Sequence, residues 1–329
     1  MIITKTPLRI GLVGGGTDLP DYYIAHGGRV LNCAIDKYVY VIVNQRFDDD
    51  IYVNYSRKEI VSDVGALEHE LVREAMRVTG VPGGVEITML ADIPSSGSGL
   101  GSSSSITVGL LQALWAYQNR QVPAEVLAEA ACDIEINRCG KRIGKQDQYI
   151  AALGGIQDLR FGPGDEVKAT ELVLTAGERH KLQAQIMLFY TGVTRSATTI
   201  LEEQSKNVER SLDGFHTLRD LAGSAVEHLR NGNVDELGAI VRRSWEAKRG
   251  LATNISNDKV DSMVQRALAA GATGAKLTGA GGGGFLFVLC PGNNQTAVRQ
   301  ALSDMRELPI KLDRFGSRVV FNVMRDIWS

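Results

Sequence analysis

Apolar and polar positions along this chain of 329 residues fall into two alternating rhythms. Short β-branched runs predict strands at 2–13, 28–35, 39–43, 51–55, 59–61 and 85–90. Longer amphipathic stretches predict helices at 64–79, from about 103 to 119, from 123 to 137, and briefly at 150–153. Gly80 stops the first helix, Pro82-Gly83-Gly84 turns into the next strand, and Pro123 opens the third helix. GKRIGKQDQY reads as a polar loop before 150, and the turn-rich stretch at 162–170 approaches the end of a first domain. Beyond it lie strands at 186–190, 274–278, 285–290 and 319–324, with helices over 196–230, 234–250, 258–271 and 297–305. No internal repeat is visible. Strands separated by helices in both halves indicate a two-domain α+β or α/β protein, divided into 1–180 and 181–329.

Between the strand at 85–90 and the helix near 103 lies PSSGSGLGSSSS, Pro94 to Ser105. A glycine-rich loop opening a helix presents unpaired backbone N–H groups at the helix's positive end, an arrangement that binds phosphate. Gly97, Gly99 and Gly101 permit left-handed backbone and close approach of a ligand. The serines that follow offer hydroxyls for capping, for phosphate oxygens or for a magnesium ion. No lysine follows the glycines as in the common P-loop, and the spacing is not that of a dinucleotide fold. Such composition also suits a linker, but the apolar strand and helix on either side favour an ordered loop.

Composition narrows the class without naming a chemistry. The length exceeds one ordinary core, and 44% hydrophobic with 22% charged residues is typical of a soluble globular protein. A net charge of −2 gives no sign of nucleic acid or an anionic membrane as partner. No apolar stretch is long enough to span a bilayer, and MIITKTPLRI reads as a strand, not a signal segment. Cys33, Cys132, Cys139 and Cys290 show no metal-ligand spacing, which suits reduced thiols in a cytoplasmic protein. An oligomer is possible but not derivable from the sequence.

Two further glycine segments change the picture: PLRIGLVGGGTDLPDYY from Pro7 to Tyr23, and KLTGAGGGGF from Lys276 to Phe285. With the central loop between them, they resemble the three ordered motifs of the GHMP kinase superfamily of galactokinases, homoserine kinases, mevalonate kinases and phosphomevalonate kinases. The resemblance spans nearly the whole chain. The central loop is similar to that family's P-x-x-x-G-L-G-S-S, with serines where alanines often follow. The first segment together with GKQDQY, Gly144 to Tyr149, resembles the sugar-kinase branch, heptose kinases among them. The resemblance implies an α+β fold, with a ribosomal-S5-like N-terminal domain, a ferredoxin-like C-terminal domain and the active site between them.

It also implies roles. ATP would be held by Pro94, Gly97, Gly99, Leu100, Gly101, Ser102, Ser103 and Ser104, with Gly281 and Gly282 of the last segment shaping the nucleotide site. Magnesium would take Ser104, or Ser103, and Glu135, twelve positions before Asp147; on helical pattern alone Glu135 is a solvated helix face. Asp147 of the D-Q pair matches the family's catalytic aspartate, and Lys145 nearby favours its ionised form, as a general base needs. A helix cap is the plainer role for Asp147, and both can hold. Arg9 matches the arginine of the P-x-R motif and would steady the transferring phosphoryl or the base, where a strand arginine would otherwise point to solvent.

For the acceptor, Gly15 and Gly16 give a sugar room, and Thr17-Asp18 resembles the hydroxyl-binding pair of galactokinases, or else forms a turn or cap before Leu19-Pro20. Arg195 in TGVTRSA is a candidate substrate contact or a surface arginine. Arg138 and Arg142, with Lys141, form a basic cluster ahead of GKQDQY that suits a second phosphate, or a solvated helix end. The implied reaction is transfer of the ATP γ-phosphate to the anomeric hydroxyl of a heptose 7-phosphate, a small-molecule sugar phosphate. Alternatives are a fucokinase- or galactokinase-like enzyme and a nucleotide-binding regulator that keeps the fold. Retention of Arg9, Glu135, Lys145 and Asp147 beside an intact loop argues against the regulator.

Overall fold

A computed structural model describes residues 1–93, 97–193 and 197–323. Strand β1 (Ile2–Val13) runs antiparallel to β2 (Gly28–Gln45), with the first glycine segment and the short helix α1 (Pro20–His26) between them. The strands expected at 28–35 and 39–43 are one strand. Its polar interruption at Asp36-Lys37 is not a turn: the Asp36 N–H donates to the Lys311 carbonyl at 2.9 Å, and its carboxylate accepts from the Lys311 N–H at 2.7 Å. A late segment of the chain thus satisfies polar groups that sequence alone reads as exposed.

Strands β3 (Ile51–Asn54) and β4 (Lys58–Val61) form the expected hairpin. Helix α2 (Glu70–Thr79) starts later than expected. Asp63 caps a separate turn through the Gly65 N–H at 2.7 Å, and the His69 ring accepts from the Val72 N–H at 3.4 Å. Strand β5 (Val85–Ala91) slots between β2 and β3, and helix α3 (Ser102–Tyr117) follows, burying Val108, Leu111 and Leu114 in the first core. Helix α4 (Ala124–Cys132) continues into a π-helical turn, Asp133–Arg138, before α5 (Gln146–Leu153). Because α5 begins at Gln146, Asp147 lies in its first turn and not in a loop.

The turn-rich stretch at 162–170 forms the turn and second strand of a hairpin of β6 (Ile156–Phe161) and β7 (Val167–Glu171), with β6 paired to the first half of β2. After α6 (Ala176–Gln185) comes β8 (Ile186–Tyr190), then α7 (Ala197–Lys206), α8 (Leu212–Arg230), α9 (Leu237–Arg249) and α10 (Asp258–Ala269). Next are β9 (Gly274–Leu277), β10 (Phe285–Leu289), α11 (Gln295–Ala301) and β11 (Arg306–Glu307). The second sheet runs β11-β8-β10-β9, antiparallel throughout. The last strand, β12 (Arg318–Asn322), returns to the first sheet and pairs with β1.

The result is a two-domain α+β fold with two apolar cores, one under the first sheet and one around Phe189, Phe215, Leu218 and Trp245. We propose 180/181 as the boundary between folding units, with β12 rejoining the first. The units meet where β1, α3 and α5 face α9 and β9, and a cavity of about 260 Å³ opens there.

Candidate active site

The central glycine loop ends at Gly101, whose φ of +78° precedes α3. Among the described residues no side chain caps α3, and Ser102, Ser103 and Ser104 line the cavity, so the first-turn N–H groups face a site that suits a phosphate. Gly97 and Gly99 line it too, whereas the Leu100 side chain is fully buried and its carbonyl accepts the Arg9 N–H at 3.0 Å. The third glycine segment closes over this loop. A Cβ on Gly279 would stand 2.8 Å from the Gly99 Cα, so only two bare backbones can approach so closely. Gly279 and Ala280 line the cavity; the expected Gly281 and Gly282 do not, since Gly282 N–H donates to the Ile255 carbonyl at 2.9 Å and Gly281 abuts the same residue. Pro94 and Arg195 lie outside the described residues.

The π-helical turn brings Glu135 to the start of α3. Its carboxylate accepts Ser103 Oγ at 2.6 Å, Ser104 Oγ at 2.7 Å and Gln148 Nε2 at 2.6 Å, with Lys141 Nζ 3.8 Å away. The residue is fully buried, which excludes the solvated-face reading, and burial pushes its pKa up against the two serine hydroxyls and Lys141. Placed at the N-terminus of a helix, the carboxylate also meets the favourable end of the helix dipole.

Arg9 is buried and does not point to solvent. Its Nε and Nη2 donate to the two Asp147 oxygens at 2.6 and 2.5 Å, and its Nη1 donates to the Gly99 carbonyl at 2.6 Å. One guanidinium therefore joins the phosphate loop to the candidate base. The cation beside Asp147 is this arginine and not Lys145, whose ammonium pairs with Asp165 at 2.7 Å.

Asp18 lies next to these groups, with its oxygens already engaged: Oδ1 accepts from the Gly16 N–H at 3.0 Å and Gln146 Nε2 at 3.1 Å, and Oδ2 from the Gln146 N–H at 3.2 Å. Burial raises its pKa, the Gly16 N–H opposes this, and Asp147 adds to it. Asp18 thereby ties the first glycine segment to the start of α5, and neither Thr17 nor Asp18 caps α1, whose N-cap is Leu19. Gly15, Gly16 and Asp18 line the cavity; Thr17 does not, because its hydroxyl donates to the Gly14 and Arg29 carbonyls at 2.8 and 2.9 Å. The expected basic cluster does not converge. Arg138 pairs with Asp133 at 2.6 Å and Glu74 at 3.8 Å, and Arg142 is exposed; both stand outside the cavity, and only Lys141 lines it.

Two buried lysines from the second half complete the wall: Lys248 on α9 and Lys276 on β9. Lys248 Nζ donates to the Gly279 carbonyl at 2.8 Å. Burial brings its pKa down to about 8, while Asp18 and Asp147 pull the other way. Lys276 is also held well below the ordinary lysine range, by burial and by the charges of Lys248 and Arg9. A signal for Lys248 exists: it continues the apolar stripe of Leu237, Val241, Ser244 and Trp245 on α9. Lys276 is the only charged residue in a strand otherwise of Gly, Ala and Leu, every position of which is buried.

The family models for the GHMP kinases' N-terminal domain and C-terminal domain match residues 64–155 and 225–309. A D-glycero-alpha-D-manno-heptose 7-phosphate kinase of Campylobacter jejuni is 32% identical over 87% of this chain and 88% of its own. The chain belongs to the GHMP kinases. These kinases use ATP, and the glycine cradle at α3 fits a phosphate-bearing ligand. A crystal structure titled as a D-glycero-D-manno-heptose 1-phosphate kinase from Bacteroides thetaiotaomicron superposes with a TM-score of 0.83 at 25% identity, covering 99% of this chain and 100% of that one. A bifunctional fucokinase/GDP-fucose pyrophosphorylase of Arabidopsis thaliana is 28% identical over 94% of this GHMP kinase and 32% of its own length.

Proposed function

We propose that this GHMP kinase transfers the γ-phosphate of ATP to the anomeric hydroxyl of D-glycero-D-manno-heptose 7-phosphate. The product is the 1,7-bisphosphate, made for nucleotide-heptose and surface-polysaccharide synthesis. The observation that carries the reading is the convergence of the α3 cradle, the Arg9–Asp147 pair and the acceptor-side glycines Gly15 and Gly16 on one cavity. The acceptor is inferred from the Campylobacter jejuni relative.

In this mechanism the α3 N–H groups and the glycine loop hold the nucleotide phosphates. Asp147 accepts the proton of the acceptor hydroxyl, and Arg9 fixes the carboxylate while balancing charge beside the phosphate loop. Asp18, acting through Gln146, keeps the start of α5 in register with the acceptor loop. Ser103, Ser104 and Glu135 supply the oxygen donors that suit magnesium, and no cluster of three or more His, Cys, Asp or Glu among the described residues offers a cage of protein ligands alone. Bound there, the ion supplies charge neutralisation to the phosphate oxygens.

A second reading, a fucokinase-like enzyme, is favoured by the Arabidopsis thaliana relative. The deciding experiment measures ADP formation with heptose 7-phosphate, heptose 1-phosphate, L-fucose and galactose. The proposal expects turnover with the 7-phosphate far above the others. A preference for fucose selects the second reading, and a preference for galactose or heptose 1-phosphate, or no turnover with any sugar, rejects both.

A further inference from the structure

Lys248 is one of the two buried lysines in the cavity wall that have no part in the mechanism above. It comes from α9, in the second half of the molecule, and its ammonium reaches the junction of three loops. On one side it donates to the Gly279 carbonyl at 2.8 Å, in the segment that lies directly on Gly99 of the phosphate loop. On another it borders the acceptor loop: a Cβ on Gly15 would be only 3.6 Å from its Nζ. The carboxylates of Asp18 and Asp147 both favour its charged form. An ammonium carries three donors, and among the described residues one backbone carbonyl is its only hydrogen-bond partner. Burying an ammonium with so little compensation is costly, and such a cost is retained where a ligand repays it.

We propose that the Lys248 ammonium contacts the terminal phosphoryl group of bound ATP at the point where it meets the acceptor. This rests on the reading of the cavity as an ATP-dependent transfer site. The ammonium touches both Gly279, which packs on Gly99 of the phosphate loop, and the edge of the acceptor loop at Gly15, and the transferring group must pass from the one loop to the other. Arg9 approaches the same junction from β1, so two cations from the two halves of the molecule would hold the group, and both halves must be correctly seated for transfer. A purely structural strap to Gly279 is the competing account, and it makes the opposite forecast for stability.

The test compares wild type with Lys248→Met, which keeps the length of the stem and removes the charge, and with Lys248→Gln as a second variant. Calorimetry measures ADP and the β,γ-imido analogue of ATP separately. Loss of one charge-assisted hydrogen bond should weaken the triphosphate analogue by about tenfold or more and leave ADP nearly unchanged. The melting temperature should not fall, because a buried charge has been replaced by an apolar group. In wild type the preference for the triphosphate analogue over ADP should decline above about pH 8, as Lys248 loses its proton, and in Lys248→Met it should be flat. The groups facing Lys248 are Arg9 from β1, Asp18 from the acceptor loop, Asp147 from α5 and Lys276 from β9, and all are retained in both variants. Equal weakening of both nucleotides, no weakening, or a lowered melting temperature with unchanged preference overturns the proposal. Wild type that binds neither nucleotide overturns the ATP reading itself, and the contact with it; wild type that binds both but ignores the substitution overturns only the contact.

Discussion

Arg9 and Asp147 lie 138 positions apart in the chain and meet through two hydrogen bonds, Nε to Oδ1 at 2.6 Å and Nη2 to Oδ2 at 2.5 Å. The forked guanidinium matches the carboxylate in a way that a single ammonium cannot, and its third nitrogen holds the phosphate loop through the Gly99 carbonyl. If Asp147 removes the hydroxyl proton, Asp147→Asn lowers kcat by about 10²-fold or more and leaves ATP affinity little changed. Arg9→Lys keeps the charge but cannot serve all three contacts, so kcat falls there as well. Steady-state kinetics with calorimetry on the folded variants checks both; near-normal turnover of Asp147→Asn would assign catalysis to positioning alone.

The phosphate cradle gives a second prediction. Gly101 has φ of +78°, and a Cβ there would lie 3.2 Å from the Arg9 Cγ. Gly101→Val should therefore distort both the loop and the arginine, and ATP binding measured by calorimetry should be lost. A variant that binds ATP like wild type would move the nucleotide elsewhere.

Glu135 and Ser104 share a 2.7 Å hydrogen bond, and together they offer the oxygen donors for a divalent ion. The double variant Ser104→Ala with Glu135→Ala should need several-fold more magnesium for half-maximal turnover. A titration of activity against magnesium decides this, and an unchanged midpoint places the ion on other groups.

A fourth prediction concerns pH and stability. Lys248 has a folded pKa of about 8, against an ordinary value of 10.5. Between those values the unfolded chain holds a proton that the folded chain has released, so raising the pH stabilises the folded state. The gain is complete above the unfolded pKa and is lost as pH falls through 8. It amounts to about 1.4 kcal/mol for each pH unit of the window. The stability difference between wild type and Lys248→Met should therefore shift in favour of wild type as pH rises from 8 to 10. Denaturation curves that run parallel across that range would show that Lys248 titrates normally.

Arg138 supplies the fifth. Its ion pair with Asp133 and its place outside the cavity predict that Arg138→Ala and Arg142→Ala leave the KM for the sugar phosphate near the wild-type value. A rise of tenfold in either variant would return that arginine to the acceptor site.

Local chemistry made much of the molecule legible. Glycine runs beside apolar strands marked three loops, and in the structure Gly99 and Gly279 touch backbone to backbone. The β3–β4 hairpin and the strands on either side of the last glycine segment follow from alternation and turn residues. What was hidden depends on distant partners. The polar Asp36-Lys37 pair looks like a break until Lys311 arrives to bond it. The β6–β7 hairpin is masked by glycine and acidic residues at its turn. The return of β12 to β1 joins the two ends of the chain, and no local pattern encodes such a pairing. Regular helical periodicity through 133–138 puts Glu135 on a surface face, and the π-helical turn there changes its facing. Lys248 and Lys276 sat in apolar patterns that predict burial but not the cavity they line.

The central claim is phosphoryl transfer to the anomeric oxygen of heptose 7-phosphate, and phosphorus NMR of the reaction product tests it most directly. The account predicts that purified protein with ATP and magnesium converts heptose 7-phosphate into a species with two sugar phosphates, one coupled to the anomeric proton, with one ADP formed for each new phosphate. Phosphate appearing on another carbon, or ADP formed without any phosphorylated sugar, would contradict it.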